Sequence, residues 1–179
     1  FVDLDYSILG TIFKIPKVIL KDEDAFNAFN YYRSSAWKIR GVDSPLQSMA
    51  KAGNINLYAY RYDWDDHRQF LIADFKKFIG AAHATEIPLL AGDTKLVGGY
   101  PLSDFIYPPS FSKYYLSRNM MTFWTNFAKT GSPGKSTNSV KWKNVFYNEY
   151  PNSSYLILDN KKNLRMQSGA NSFKSLSEE

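Results

Sequence analysis

The sequence predicts an α/β structure that is incomplete by itself. Two segments, residues 22–38 and 111–129, repeat apolar residues at three- and four-residue steps, as amphipathic helices do. Residues 55–62 and the shorter run 155–158 have the aromatic and aliphatic character of strands. Because two strands do not make a free-standing sheet that helices can cover, we expect this chain to be half of a layered α/β fold.

Local signals define the helices in the first half of the chain. Acidic residues 22–24 lie in the first turn of the first helix, where the helix dipole favours negative charge. Gly41 lies just past the predicted end and is expected to stop this helix. A second, short helix is predicted over residues 44–52, with Ser44 as its N-cap and Gly53 as its terminator.

Less regular structure is expected in the second half. Residues 63–109 are dense in Gly and Pro and predict a long loop region, which in a compact domain is usually functional. Gly131 followed by Pro133 is a common way for the helix over residues 111–129 to end. From about Gln167 the chain is polar, and we expect this tail to fray.

Composition excludes several classes of protein. Aromatic residues make up 17% of the 179 residues, which argues against a disordered chain. The net charge of +5 comes from basic residues that are interleaved with acids, which is typical of a solvated surface rather than of a nucleic-acid-binding stripe. No apolar run approaches the roughly 20 residues that span a bilayer. We therefore expect neither nucleic acid nor a membrane as a partner.

Metal and cofactor chemistry also lack their sequence patterns. Cysteine is absent, and the two histidines do not form a His-Glu-x-x-His motif, so no metal site is expected. The residues from Gly134 to Ser136 resemble the end of a phosphate-binding loop, but Lys129 stands where that motif requires its first glycine. We therefore expect no cofactor.

A catalytic serine is missing from its usual motif. The closest approach to the Gly-x-Ser-x-Gly nucleophile elbow is TGSPG at residues 130–134, which lacks the first glycine. Its proline also removes the backbone N–H that such an elbow supplies to an oxyanion. The chain begins at Phe1 without the pattern of a signal peptide, and we expect that a preceding portion has been removed.

His67 and His83 are the candidate catalytic bases. His67 lies in the charged segment DWDDHR, residues 63–68, and is expected to be an exposed loop histidine. His83 lies in GAAHATEIP, residues 80–88, where small neighbours would let other segments approach its ring closely. On local chemistry alone, a structural histidine is at least as plausible at this position as a catalytic one.

Two long motifs add information beyond local chemistry. Residues 80–88 contain Gly-x-x-His-x-x-Glu and follow LYAY at residues 57–60. Residues 124–133 read WTNFAKTGSP, and Trp142 and the strand at Tyr155 follow them. This arrangement resembles the type-B carboxylesterases, the cholinesterase-like branch of the α/β-hydrolase fold, over roughly residues 20–160. The segments WKIRGVD and YRYDWD look like those of bacterial members in particular.

The resemblance implies a fold and a reaction. The fold is the C-terminal portion of an α/β-hydrolase fold, with the last central strand, the histidine loop, the C-terminal helix and a short strand. Residues 1–179 would all belong to this portion of a catalytic domain, with the polar tail from about residue 167. The implied function is that of a serine carboxylesterase acting on small-molecule esters, and His83 is the residue that matches the family's catalytic base.

The same resemblance implies that the serine, the acid and the oxyanion segment lie elsewhere. They would be supplied by an N-terminal portion of the same enzyme or by a companion chain, so this chain alone is expected to be inactive. Asp22-Glu23 imitates the family's acid motif, but it stands too close to the Trp37 segment and begins a helix, so Glu23 is not assigned as the acid. Glu86 is expected to shape the loop rather than to relay charge.

Two alternatives stay open. Members of this superfamily that lost the serine serve as recognition modules, so the chain could belong to a non-catalytic binding protein. The residue at the upstream serine position would decide between these two functions. A weaker alternative is nucleic-acid binding through the basic balance and the abundant aromatics, which would require a steep loss of affinity with added salt.

Overall fold

Helices and short sheets alternate along the described chain. The computed structural model describes residues 2–9, 13–70, 72–93, 107–145 and 153–168. Within these ranges the chain is a mixed α/β structure, as predicted. None of the helices in these ranges is long and apolar enough to cross a membrane.

A β-hairpin that was not predicted from the sequence precedes the first helix. Strands β1 (Val2–Leu9) and β2 (Phe13–Leu20) pair in antiparallel orientation along their whole length. The amide of Val18 also donates to the carbonyl of Ile72 at 2.7 Å, which connects the hairpin to the later chain. Pro16 lies within this register opposite Tyr6, and its presence weakens the strand signal in the sequence because proline contributes no N–H to a ladder.

Helix α1 (Glu23–Lys38) confirms the first predicted helix. Asp22 is its N-cap, and its carboxylate accepts a hydrogen bond from the amide of Ala25 at 2.8 Å. None of the residues of α1 is buried. Its exposed aromatic side chains are those of Phe29, Tyr31, Tyr32 and Trp37.

The predicted stop at Gly41 is wrong. A π-helical turn (Ile39–Asp43) continues α1 directly into helix α2 (Ser44–Lys51). Lys38 Nζ lies 2.5 Å from Oδ2 of the buried Asp43. This five-residue spacing fits one turn of a π-helix, in which residues i and i+5 are bonded. The ion pair therefore bridges the wide turn, and the helical run passes through the glycine.

The second predicted helix is confirmed in position but not in its start. Ser44 has a right-handed helical backbone and its amide donates to the carbonyl of Ile39, so it lies inside a continuous run and is not an N-cap. Gly53 has a φ of +87°, and its amide donates to the carbonyl of Ala50. This left-handed backbone, which glycine adopts at little cost, ends the helix where the sequence predicted.

The main sheet is small and mixed. Strand β3 (Tyr60–Tyr62) runs parallel to β6 (Ser154–Leu158), which confirms the late strand, and β7 (Arg165–Ser168) pairs antiparallel with β6. Only the last three residues of the predicted strand 55–62 are regular. Before them, the carbonyl of Ala59 accepts a hydrogen bond from the Leu156 amide, which extends the pairing with β6 by one bond, and a second one from the indole of Trp142.

Short elements interrupt the predicted loop region. Strands β4 (Gln69–Phe70) and β5 (Ala73–Asp74) form a tight hairpin that leads into helix α3 (Phe75–Ile79). Helix α4 (Ile87–Leu90) follows after seven residues without regular structure. Residues 94–106 of the predicted loop lie outside the described residues, as do residues 169–179 of the predicted tail.

Helix α5 (Phe111–Thr130) confirms the second long helix and provides the core. Ser110 caps its start by accepting a hydrogen bond from the amide of Lys113 at 3.2 Å. Leu116, Met120 and Phe123 on this helix are fully buried. The buried residues that pack with them are Trp64, Leu89, Tyr107, Trp142, Leu156, Leu158 and Leu164.

Gly131 ends α5 with a φ of +72°, and a Cβ built at this position would meet no atom within 4 Å. We therefore expect Gly131→Ala to lower the free energy of unfolding by about 1 kcal/mol through backbone strain alone, because left-handed backbone disfavours an L side chain. Gly131→Asn, the matched control, should cost less because asparagine tolerates this conformation. Urea unfolding of both variants checks the prediction, and equal costs would contradict it.

Candidate functional site

The loop that carries His83 begins at an unusual glycine. Gly80 ends α3 with φ +55° and ψ −151°, a conformation that is essentially restricted to glycine. Its amide donates to the carbonyl of Lys76 at 2.9 Å, which closes the last turn of α3. The conformation of Gly80 therefore sets the direction in which the chain leaves the helix towards His83.

His83 lies exposed on this loop and contacts helix α1. Its ring centroid is 4.1 Å from that of Trp37, with an angle of 43° between the ring planes. The small residues around His83 allow this close approach, as the sequence predicted. The contact joins residues that are far apart in the sequence, so local patterns could not reveal it.

The far end of the loop is fixed by Thr85. Its hydroxyl donates to the carbonyl of Ala82 at 2.6 Å, and its amide donates to the same oxygen at 3.2 Å. Ala84 has a φ of +69°, which is strained for a residue with a Cβ. The two hydrogen bonds of Thr85 tie the backbone on both sides of Ala84 together and hold this conformation.

A polar cavity of about 490 Å³ lies between α1 and the loop. This volume is within the usual range for sites that bind small molecules. Lys77 at its wall pairs with the carboxylate of Glu23. The polar and aromatic residues that line the cavity include Asn27, Asn30, Arg33, Trp37, Lys77 and His83.

The predicted exposure of His67 is wrong. Its side chain is buried. Its ring packs edge-on against the fully buried Trp64 at a centroid distance of 5.2 Å and lies tilted against Tyr107 at 5.6 Å. Trp64 draws the segment into the core, while the adjacent Asp65 turns outwards and pairs with Lys76. The three-residue spacing of Trp64 and His67 within the charged segment was the signal that could have shown this.

His67 connects the core to the loop of His83. Its Nε2 lies 2.8 Å from the carbonyl oxygen of Gly80. Since a carbonyl only accepts hydrogen bonds, Nε2 carries the proton and donates. Burial lowers the pKa of His67, and the charge of Lys113 lowers it further, while the bond to Gly80 and the charges of Asp65 and Asp66 oppose the shift. The imidazole is therefore neutral near pH 7.

The charge of Glu86 acts on two tyrosines near the loop, the partly exposed Tyr60 and the buried Tyr107. It lies at the start of α4, where its carbonyl accepts a hydrogen bond from the amide of Leu90 at 3.0 Å. Burial, followed by the charge of Glu86, raises the pKa of Tyr60. Burial also raises the pKa of Tyr107 to about 12, and the negative charge of Glu86 adds to this shift. These tyrosines therefore stay protonated at neutral pH.

Within the described ranges, no group of three or more His, Cys, Asp or Glu side chains could hold a metal ion. The site in this part of the chain thus consists of an exposed imidazole, a tryptophan beside it and a polar cavity. An imidazole in such a position can accept a proton from a hydroxyl and return it. It needs a nucleophile from outside the loop to perform covalent catalysis.

Comparison with known proteins identifies the family. A sequence profile described as "Carboxylesterase family" matches residues 27–175, which is most of the chain. The chain belongs to the carboxylesterase family. The expected resemblance is therefore confirmed, and the mixed α/β structure is consistent with part of the α/β-hydrolase fold of these proteins.

Three relatives illustrate the range of this family. Neuroligin-3 from Macaca mulatta is 41% identical over 78 residues, which is 42% of this chain and 35% of that protein. Human neuroligin-2 is 46% identical over 57 residues, which is 31% of this chain and 6% of that protein. Acetylcholinesterase from Bungarus fasciatus is 37% identical over 81 residues, 45% of this chain and 11% of that protein. The chain thus matches only a minor part of each relative's length.

The lowered pKa of His67 predicts a pH dependence of stability. At pH values just below the ordinary histidine pKa of 6.5, His67 is protonated in the unfolded state but still neutral in the folded state. The contribution of neutral His67 to stability is therefore complete above this value and is lost as the pH falls towards the lower pKa of the folded state. Urea unfolding of the parent chain and His67→Gln at about pH 7.5 and about pH 5 measures this effect. The stability difference between the two should shrink on acidification, and a pH-independent difference would contradict the prediction.

Proposed function

We propose that this chain is the C-terminal portion of a serine carboxylesterase and that His83 is the catalytic base. The observation that carries this proposal is the exposed imidazole of His83, which lies at a polar cavity on a loop with a fixed backbone. Membership of the carboxylesterase family supports it. The name of one relative, acetylcholinesterase, also designates an esterase.

The chemistry assigned to His83 is proton transfer in both steps of ester hydrolysis. His83 takes the proton from a serine hydroxyl as the serine oxygen attacks the ester carbonyl, and it then protonates the departing alcohol. In the second step it takes a proton from the water that attacks the acyl-serine, and it returns this proton to the serine oxygen as the bond to the acyl group breaks and the acid is released. The pocket beside His83 would hold part of a small-molecule ester.

The rest of the catalytic machinery would come from outside this chain. The serine, the acid and the oxyanion hole are assigned to an N-terminal portion of the same enzyme or to a companion chain. In the described part of the structure β3 is an edge strand, which leaves one side for further strands of a central sheet. The small share of each relative that the chain covers, 35% for Macaca mulatta neuroligin-3, supports the same assignment.

Trp37 has a supporting role in this proposal. Its indole lies against the imidazole of His83 at a centroid distance of 4.1 Å and restricts the positions that the ring can adopt. Helix α1 thus contributes an orienting surface, while the loop after α3 contributes the base. A base that is oriented before the substrate arrives loses less entropy in the transition state.

A non-catalytic recognition protein of the same family is the second candidate. Several relatives are named neuroligin, a name that designates no enzyme, beside one named acetylcholinesterase. The two functions differ at the serine position, which lies outside this chain. Retention of His83 favours the esterase, because a recognition protein has no need for a base at this cavity.

A substitution series in the complete protein tests His83. We expect His83→Ala and His83→Gln to lower kcat for a p-nitrophenyl ester by at least about 10³-fold, because general-base catalysis and the triad geometry are lost together. Lys161→Ala, an exposed change in a turn outside the site, is the control and should leave kcat unchanged. Activity that survives both His83 substitutions would refute the assignment of the base.

A covalent probe tests the two candidate functions against each other. A fluorophosphonate reacts with activated serines, so the native protein, with any chain that copurifies, should be labelled at a serine outside residues 1–179. Peptide mass spectrometry locates the adduct, and the intact mass of the labelled species shows whether one chain or two are present. If the natively folded protein takes up no label, the recognition function is favoured instead.

A further inference from the structure

The carbonyl group of Gly80 is one point where the core of the protein contacts the loop of His83. Both polar backbone groups of Gly80 are engaged, the amide by the Lys76 carbonyl and the carbonyl by His67 Nε2. The peptide plane that follows Gly80 is therefore fixed in orientation. Only two residues, Ala81 and Ala82, connect this peptide plane to His83. A rotation of the plane would therefore displace the imidazole of His83.

His67 is itself held firmly. Its ring packs against the buried rings of Trp64 and Tyr107, which also contact each other at a centroid distance of 5.1 Å. The indole of Trp64 donates to the hydroxyl of Ser112 at 3.1 Å, and the ammonium of Lys113 donates to the carbonyl of Tyr107 at 2.7 Å. Both of these partners lie in the first turn of α5. The two rings that contact His67 are therefore both anchored to α5, and α5 fixes the position of His67 through them.

These contacts form a continuous path from α5 through Trp64 and His67 to Gly80 and on to His83. We propose that His67 is a positioning residue that sets the location of the His83 imidazole by donating a hydrogen bond to the carbonyl of Gly80. This inference rests on the proposed function of His83, because positioning matters for the reaction only if His83 is the base. His67 does not itself contact the reacting groups.

Two substitutions distinguish the effect of the His67 hydrogen bond from the effect of filling space in the core. His67→Phe keeps a ring packed against Trp64 and Tyr107 but removes the donor. His67→Gln keeps a donor, because the side-chain amide nitrogen of glutamine can occupy the position of Nε2. A residue that only filled the core would tolerate phenylalanine at least as well as glutamine. A positioning donor gives the opposite order, with rescue by glutamine.

The first experiment observes the histidine rings directly and needs no catalysis. The complete protein, isotope-labelled at histidine, is studied by NMR at about pH 7, and His67 is expected as the neutral tautomer with its proton on Nε2. In His67→Phe the ring signals of His83 should shift and the amides of residues 81–84 should exchange at least about 10-fold faster, because the loop opens more often. His67→Gln should restore both towards the parent values.

Two results would overturn the positioning role. One is a parent His67 with its proton on Nδ1, which cannot donate to Gly80 in the observed geometry; this measurement needs no variant and stands even if His67→Phe fails to fold. The other is a folded His67→Phe chain whose His83 signals and loop exchange equal those of the parent.

The second experiment connects positioning to turnover in the complete esterase. We expect His67→Phe to lower kcat about 10- to 100-fold with little change in KM, because a displacement of about 1 Å at the base costs a rate of this order. His67→Gln should recover most of this loss. Equal kcat values for parent and His67→Phe would overturn the proposal while leaving the function of His83 intact.

Failure of the proposed function gives a different pattern. In that case no variant and no parent protein hydrolyses esters or reacts with the fluorophosphonate. The NMR effects of His67→Phe would still appear, and His67 would then position His83 for a purpose other than ester hydrolysis. The spectroscopic and kinetic results therefore distinguish the two failures.

Discussion

The burial of one face of α5 is the interaction on which the rest of the described structure depends. Leu116, Met120 and Phe123 on this face have no solvent exposure, and they pack against Trp64 and Trp142 from two different parts of the chain. Burial of aromatic side chains of this size contributes several kcal/mol each to folding. Without this face, neither the small mixed sheet nor the segment that leads to His83 would have a surface to pack on.

Trp142 shows how the same core reaches the sheet. The centroid of its ring lies 5.4 Å from that of Phe123 and 5.3 Å from that of Trp124. Its indole N–H donates a hydrogen bond to the carbonyl of Ala59 just before β3. A short three-stranded sheet has few ladder bonds of its own. The indole N–H of Trp142 therefore supplies a hydrogen bond to the sheet that, in a larger sheet, a neighbouring strand would supply.

Much of this fold follows from periodicity and end signals. The two long helices were predictable because their apolar spacing, the acids at the start of α1 and the glycine at φ +72° after α5 all agree. The continuation through Gly41 was not, because it depends on an ion pair across a π-turn that no helix signal encodes. The strand at 55–62 was overestimated because its partners, such as the indole of Trp142, come from distant segments.

The candidate site could also be predicted only in part from the sequence. His83 was singled out by the resemblance of its motif to the carboxylesterases, because its local chemistry alone left a structural role equally plausible. Its contact with Trp37 and the burial of His67 depend on tertiary packing, and in the second case the surrounding charges masked the pattern.

The pairing of Trp37 with His83 also has an optical consequence. A protonated imidazole quenches the fluorescence of an adjacent indole more strongly than a neutral one, and the two rings lie 4.1 Å apart. The side chain of Trp37 is 52% exposed, whereas Trp64 and Trp142 are buried. Trp124 is half-buried, so Trp37 is the most exposed of the four tryptophans, and its emission reports on the surroundings of the proposed base without any added label.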